Sequence, residues 1–254
     1  MPDLPLTKLD TLTLSVKNPA AQQRFYCEVL GMSDRGEGRL AYAPQEIALR
    51  FVAADAPYVP RPSDLYWKIA LSVPNIDLAY KQLQKAGVSC TAPVQFRDVG
   101  YLAKITDPEG FTVELIDHWF EGERPEEQHD ETLLGGGAHL SLLTLRTADI
   151  AAVEPEILNL GMTPLSVQPV DPYGFTLHFY AFTDEQPPNE NLEAVENRTW
   201  VYRRPYTVLE IQHVHALTTE TTPSENVGGY SGVTIRSADP LASYERLKIT
   251  AERS

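Results

Sequence analysis

The sequence predicts an α+β protein built from repeated βαβββ modules that form curved open sheets, with the fourth module truncated. Two observations predict it. Segments of alternating apolar and polar residues recur in sets, each opening with a strand and then a short helix. The opening strands LDTLTLSV, WKIALSV, HLSLLTLRT and YSGVTIRS each run into an Asn or Asp suited to starting a helix: Asn18, Asn75, Asp149 and Asp239.

In the first module the strand at 9–16 is followed by Asn18-Pro19, which opens a helix. Phe25, Tyr26, Val29 and Leu30 give that helix its apolar stripe, and Gly31 ends it. Short strands follow around 39–43 and at 46–53. The second module repeats the order: strand WKIALSVPN, helix IDLAYKQLQKAG ending at Gly87, then strands VSCTAPVQ, GYLAKITD and FTVELIDHW. Asp107-Pro108-Glu109-Gly110 turns the chain between the last two. The third module has strand HLSLLTLRTAD, helix IAAVEPEILNLG, and strands YGFTLHFYAF and YTVLEIQHVH, separated by TDEQPPNENLEAVEN, an exposed insertion. The fourth has strand YSGVTIRSAD and helix PLASYERLKIT, with no room for closing strands.

Between the second and third modules, EGERPEEQHDETLLGGG reads as a solvated, flexible connector. The division is therefore residues 1–120 as one two-module domain, 121–137 as an acidic and glycine-rich linker, and 138–254 as a second domain. A single module cannot cover its own sheet, whereas two side by side make a curved eight-stranded sheet with a cleft. The incomplete fourth module leaves an edge or face uncovered, which predicts self-association into a homo-oligomer.

Charge narrows the partners. Lys and Arg number 21 against 35 Asp and Glu, a formal charge of -14. Such a chain repels phosphate backbones and anionic lipid, so nucleic acid and membrane surfaces are excluded in favour of a small-molecule ligand. No apolar run is long enough to cross a bilayer, and the opening MPDLPLTKLD lacks the layout of a secretion signal. Cys27 and Cys90 are too few for a disulfide scaffold and read as reduced, which suggests the cytoplasm.

With FYCEVLGM after the first strand, DPEGFTVEL closing the second module, and LTLRTAD and VTIRSAD opening the third and fourth, the chain resembles the vicinal oxygen chelate family of glyoxalases, extradiol dioxygenases and bleomycin resistance proteins. The third module, with Trp200, Arg204, Thr207 and LEIQH, is most similar to lactoylglutathione lyase. The resemblance implies that each module gives its cleft one residue from the first strand and one from the last, usually His, Gln or Glu around a divalent metal. Seven residues before each helix-opening Asn or Asp stand Thr11, Lys68, Leu142 and Gly232; the last-strand positions are Arg50, Glu114 and Glu210. None is His, and Lys and Arg repel a cation. The expectation is a degenerate site with no metal ligands and no cofactor.

The resemblance leaves two pairings open. Modules two and three together would bring Lys68, Glu114, Leu142 and Glu210 into one cleft, leaving Thr11, Arg50 and Gly232 in the other. Modules one and two together would instead put Thr11, Arg50, Lys68 and Glu114 in one cleft, suited to an anionic ligand. In the first arrangement Lys68 stands where a metal would. It could stabilise an enolate or oxyanion while Glu114 or Glu210 acts as base; a plain buried ion-pair cluster is the other reading. His118 shares strand alternation with Glu114 and joins Thr11 and Arg50 as a candidate ligand-binding residue. Tyr42, Tyr66, Trp67, Tyr101, Trp119 and Tyr180 are candidates for pocket walls. The function expected is binding of a small carbonyl or anionic compound. The alternatives are a glyoxalase-like lyase or isomerase, or a dioxygenase-related enzyme, using Glu114 or Glu210 with a divalent metal, and a non-catalytic assembly protein.

Overall fold

The computed structural model describes residues 7–126, 129–224, 226–237 and 243–253. The first module comprises β1 (Lys8–Val16), α1 (Pro19–Arg24), β2 (Ser33–Asp34), β3 (Arg39–Ala41) and β4 (Ala48–Ala53). The second comprises β5 (Tyr66–Val73), α2 (Ile76–Lys85), β6 (Val94–Phe96), β7 (Gly100–Thr106) and β8 (Thr112–Asp117). The third comprises β9 (His139–Thr147), α3 (Ile150–Asn159), β10 (Thr163–Val170), β11 (Phe175–Ala181), α4 (Glu196–Tyr202) and β12 (Val208–Val214). The fourth contributes β13 (Gly229–Ser237) and β14 (Ile249–Arg253).

The repeat is visible in the capping chemistry. Asn18, Asn75 and Asp149 each accept a hydrogen bond from the backbone N–H three residues on, at 3.0, 3.0 and 3.1 Å. Each satisfies a donor that the first helical turn would otherwise leave unpaired, worth about 1 kcal/mol. Asp239, the fourth expected cap, lies outside the described residues.

The strands form two sheets, one ordered β14-β13-β1-β4-β3-β2 and the other β10-β11-β12-β9-β5-β8-β7-β6. Within every module the first strand lies parallel to the last. Modules join through antiparallel pairing of their first strands, β1 with β13 and β5 with β9. Of the two pairings left open by the sequence, the structure therefore has modules one and four sharing one sheet, and modules two and three sharing the other. A large apolar cluster joins both sheets and the helices, including Leu12, Tyr26, Ile69, Ile76, Ile157 and Ile235. A smaller one, built around Ala70, Ile116, Leu142, Phe179, Val201 and Tyr202, includes residues of α4.

Four expectations are corrected. The helix foreseen in PLASYERLKIT is, over its described part, a 3-10 turn at Glu245–Leu247 followed by β14, which supplies a closing strand parallel to β13. The insertion is not wholly exposed: it leads into α4, where Asn197 through Thr199, Val201 and Tyr202 are all buried. An unforeseen strand, β10, forms the edge of the eight-stranded sheet. The glycine end of the linker is packed rather than solvated. Gly135 sits at φ +57° with its Cα so close to Val73 and Ala79 that a Cβ would meet Val73 at 2.6 Å. Among the described residues no helix is long and apolar enough to cross a membrane.

Candidate functional site

The curved eight-stranded sheet holds a cleft of about 350 Å³. Alternation along the central strands aims Lys68 of β5, Glu114 of β8 and Glu210 of β12 into it. Their alignment follows from the ladders: Ala70 lies opposite Glu114, Lys68 opposite Thr144, and Thr144 opposite Glu210. Lys68 Nζ is 2.8 Å from Glu114 Oε1 and 3.1 Å from Glu210 Oε2. Thr144 Oγ1 donates to Glu210 Oε2 at 2.8 Å. Lys104, directly across the β7–β8 ladder, stands 3.8 Å from Glu114 Oε2.

All three central groups are almost fully buried, Lys68 at 2%, Glu114 at 5% and Glu210 at 1% exposure. Burial pulls the Lys68 ammonium toward neutrality, but Glu114 and Glu210 together outweigh it and the net shift is upward. Lys68 therefore stays protonated, a donor rather than a nucleophile. Burial pushes the Glu210 carboxyl up against the pull of Lys68 and Thr144. Trp67 carries cations around its ring: Lys68 at 5.0 Å, Lys104 at 5.1 Å and Arg146 at 4.8 Å from its centroid. Arg146 is held there by Gln212, which accepts from its Nε at 3.0 Å.

The outer strands supply the walls. One arm, β6 and β7, gives Phe96, Val99 and Leu102; the other, the β10–β11 hairpin, gives Tyr173, Phe175 and Leu177. Phe96 and Tyr173 meet edge to face, ring centroids 4.9 Å apart, although β6 and β10 are opposite edges of the sheet. The sheet is thus curled far enough for its two margins to touch.

The N-terminal half matches the model of the Glyoxalase/Bleomycin resistance protein/Dioxygenase superfamily over residues 8–115. Residues 8–115, which span modules one and two, thus carry the signature of that superfamily. No curated protein matches it. Among solved structures, glyoxalase I from Zea mays superposes with a TM-score of 0.64 at 17% identity, covering 92% of this chain and 75% of that one. A putative dioxygenase from Bacillus subtilis superposes with a TM-score of 0.54 at 16% identity, covering 94% of this chain and 71% of that one. Both are likenesses of fold.

Other residues singled out in the sequence lie elsewhere. Leu142 packs in the smaller apolar cluster. Thr11 and Arg50 belong to the six-stranded sheet: Thr11 donates to Asp10 at 3.0 Å, and Arg50 is exposed opposite Thr13. The last-strand position of the fourth module, expected to be missing, is Thr250, aligned with Thr234 as Glu114 is with Ala70. Gly232, Thr234 and Thr250 line an open polar hollow of about 570 Å³ on that sheet. His118 does not line the Lys68 cleft, because β8 ends at Asp117, whose carboxylate caps α2 through Ile76 N–H at 2.9 Å. His118 instead faces His139, ring centroids 5.5 Å apart. Of the aromatics proposed for the walls, Trp67 lines the cleft, while Tyr66, Tyr101 and Tyr180 are core residues. Lys104 was missed, although the turn at 107–110 carries the signal that sets it opposite Glu114. Phe96 and Tyr173 were not legible, because nothing local signals that the sheet's edges converge.

Proposed function

We propose that this chain holds a small carbonyl or anionic compound in the Lys68 cleft, with the superfamily's metal position taken over by an ammonium group. The observation that carries the reading is Lys68 Nζ bridging Glu114 and Glu210 on the floor of a hollow whose outer walls are mostly apolar. The donor set does not suit a divalent ion: the two carboxylates already share a positive charge, and the remaining first-strand position is Leu142. An ammonium has three N–H donors. Two serve the glutamates, and the third is available to a ligand oxygen.

The asymmetry of the carboxylates favours a second, enzymatic reading on the same site. Glu114 faces a lysine with each oxygen, whereas Glu210 takes Lys68 and Thr144 on Oε2. Glu210 Oε1 would remove a proton from carbon next to a carbonyl, while Lys68 donates to the oxygen on which the enolate charge develops. That is a glyoxalase-like isomerase or lyase without a metal.

The test is calorimetric titration with pyruvate and benzoate. Wild type is expected to bind at least one. The variant K68M/E114Q/E210Q, which removes the cluster without stranding a charge, is expected to fold and lose that binding. Equal binding by both proteins refutes the reading. Lys68→Ala alone leaves two buried carboxylates; zinc or calcium should raise its Tm by several degrees while leaving wild type unmoved. Self-association and a cytoplasmic setting belong to the same proposal. They are supported by the open hollow on the six-stranded sheet and by the free thiols of Cys27 and Cys90. Sedimentation of a monodisperse monomer would remove the first.

A further inference from the structure

Lys68, Glu114, Glu210 and Gln212 sit on the central strands of the cleft, with Lys104 beside them on β7, and most of its apolar groups sit on two arms that face each other. Phe96, Val99 and Leu102 line one arm; Tyr173, Phe175 and Leu177 line the other. That arrangement is a slot with a charged floor. We propose that its occupant is a flat aromatic molecule bearing one oxyanion, with its ring between the arms and its oxygens on Lys68. This deepens the reading above and rests on it.

Three observations favour a ring over an aliphatic chain. The arms present Phe96, Tyr173 and Phe175, whose faces and edges have specific geometric preferences for another π system. Trp67 does not compete for it, since Lys68, Lys104 and Arg146 already crowd its ring. The Phe96–Tyr173 contact is an edge-to-face pair across the slot, the contact a third ring would replace by inserting. Tyr173 is suited to give way: it is 57% exposed and sits in the 3-10 turn Asp171–Tyr173, ahead of Gly174 in the left-handed region. The cleft volume of about 350 Å³ falls at the lower end of the range for small-molecule sites and suits a two-ring compound. Phe96 and Tyr173 are thus assigned as the specificity-determining pair.

The experiment compares 2-naphthoate with decahydro-2-naphthoate, which carries the same carboxylate on a saturated, puckered frame. Wild type is expected to bind the aromatic acid about tenfold more tightly, the order expected from one or two edge-to-face contacts. Phe96→Leu and Tyr173→Leu should each erase most of that preference while changing affinity for the saturated acid by less than twofold. Both positions are near the surface, and thermal unfolding checks that the variants fold. Equal affinity of wild type for the two acids overturns the proposal. So does a preference that survives both substitutions. If the saturated acid binds in a manner abolished by K68M/E114Q/E210Q and the aromatic one does not bind better, the slot assignment fails and the Lys68 reading stands. If neither acid binds and pyruvate and benzoate also fail, both fall.

Discussion

Lys68 holds two carboxylates together that would otherwise repel each other, and its burial makes that role exacting. Its place was legible through the family resemblance, which implies a cleft residue on each opening strand and so singles out the position seven residues before Asn75. His118 was misjudged for an equally local reason. Alternation holds only while the strand lasts, and β8 ends at Asp117, one residue short of His118. The displaced His118 and its neighbour His139 are both kept neutral. Burial, then His139, Arg203 and Arg124, push His118 down to about 3; burial, opposed by the carbonyls of Tyr202 and Arg204, pushes His139 down to about 4. Groups with depressed folded pKa values take up protons first in the unfolded chain. Their contribution is therefore fully present above pH 6.5 and is lost as pH falls toward 4. Each pH unit over which only the unfolded chain holds the proton costs about 1.4 kcal/mol. His139→Gln is therefore expected to reduce the loss between about pH 7 and about pH 4.5 by roughly 2 kcal/mol. Urea unfolding of both proteins across that range measures it; parallel pH profiles would show that His139 titrates alike in both states.

At the level of elements, the helices that open three of the modules were legible because their caps are spelled out in single residues. Two other elements were not. β10 carries Pro164 and Pro169, which argue against a strand; both are tolerated because β10 is an edge and needs donors on one side only. α4 was missed because the insertion reads as exposed through Asn197, and the buried residues that follow, Arg198 and Thr199, are polar. Polar residues go inside when their partners are supplied. Asn197 donates to the carbonyls of Asn189 and Asn191 at 2.9 and 3.1 Å, and Arg198 pairs with Asp98 at 2.8 Å. Tyr202 donates to Val99 O at 2.9 Å, tying α4 to the β6–β7 turn next to the cleft. Tyr202→Phe leaves that buried carbonyl unpaired and should lower stability by about 1–2 kcal/mol, read as a fall in urea midpoint at unchanged slope. An unchanged midpoint would mean that the helix is held by packing alone.

For the whole molecule, the family, the repeat and the αβ character were readable from the chain, since each depends on patterns within about fifty residues. The choice of pairing was not. It is set by which opening strands meet, and nothing in β1 or β5 alone distinguishes β13 from β9 as a neighbour. The outcome is nested like brackets. The inner sheet is complete within residues 66–214, while Lys8 must wait for Arg236. As the ribosome extends the polypeptide, the inner bracket can close early. β1 meanwhile keeps one margin bare until β13 has been made, and a stray neighbouring nascent chain could take its place.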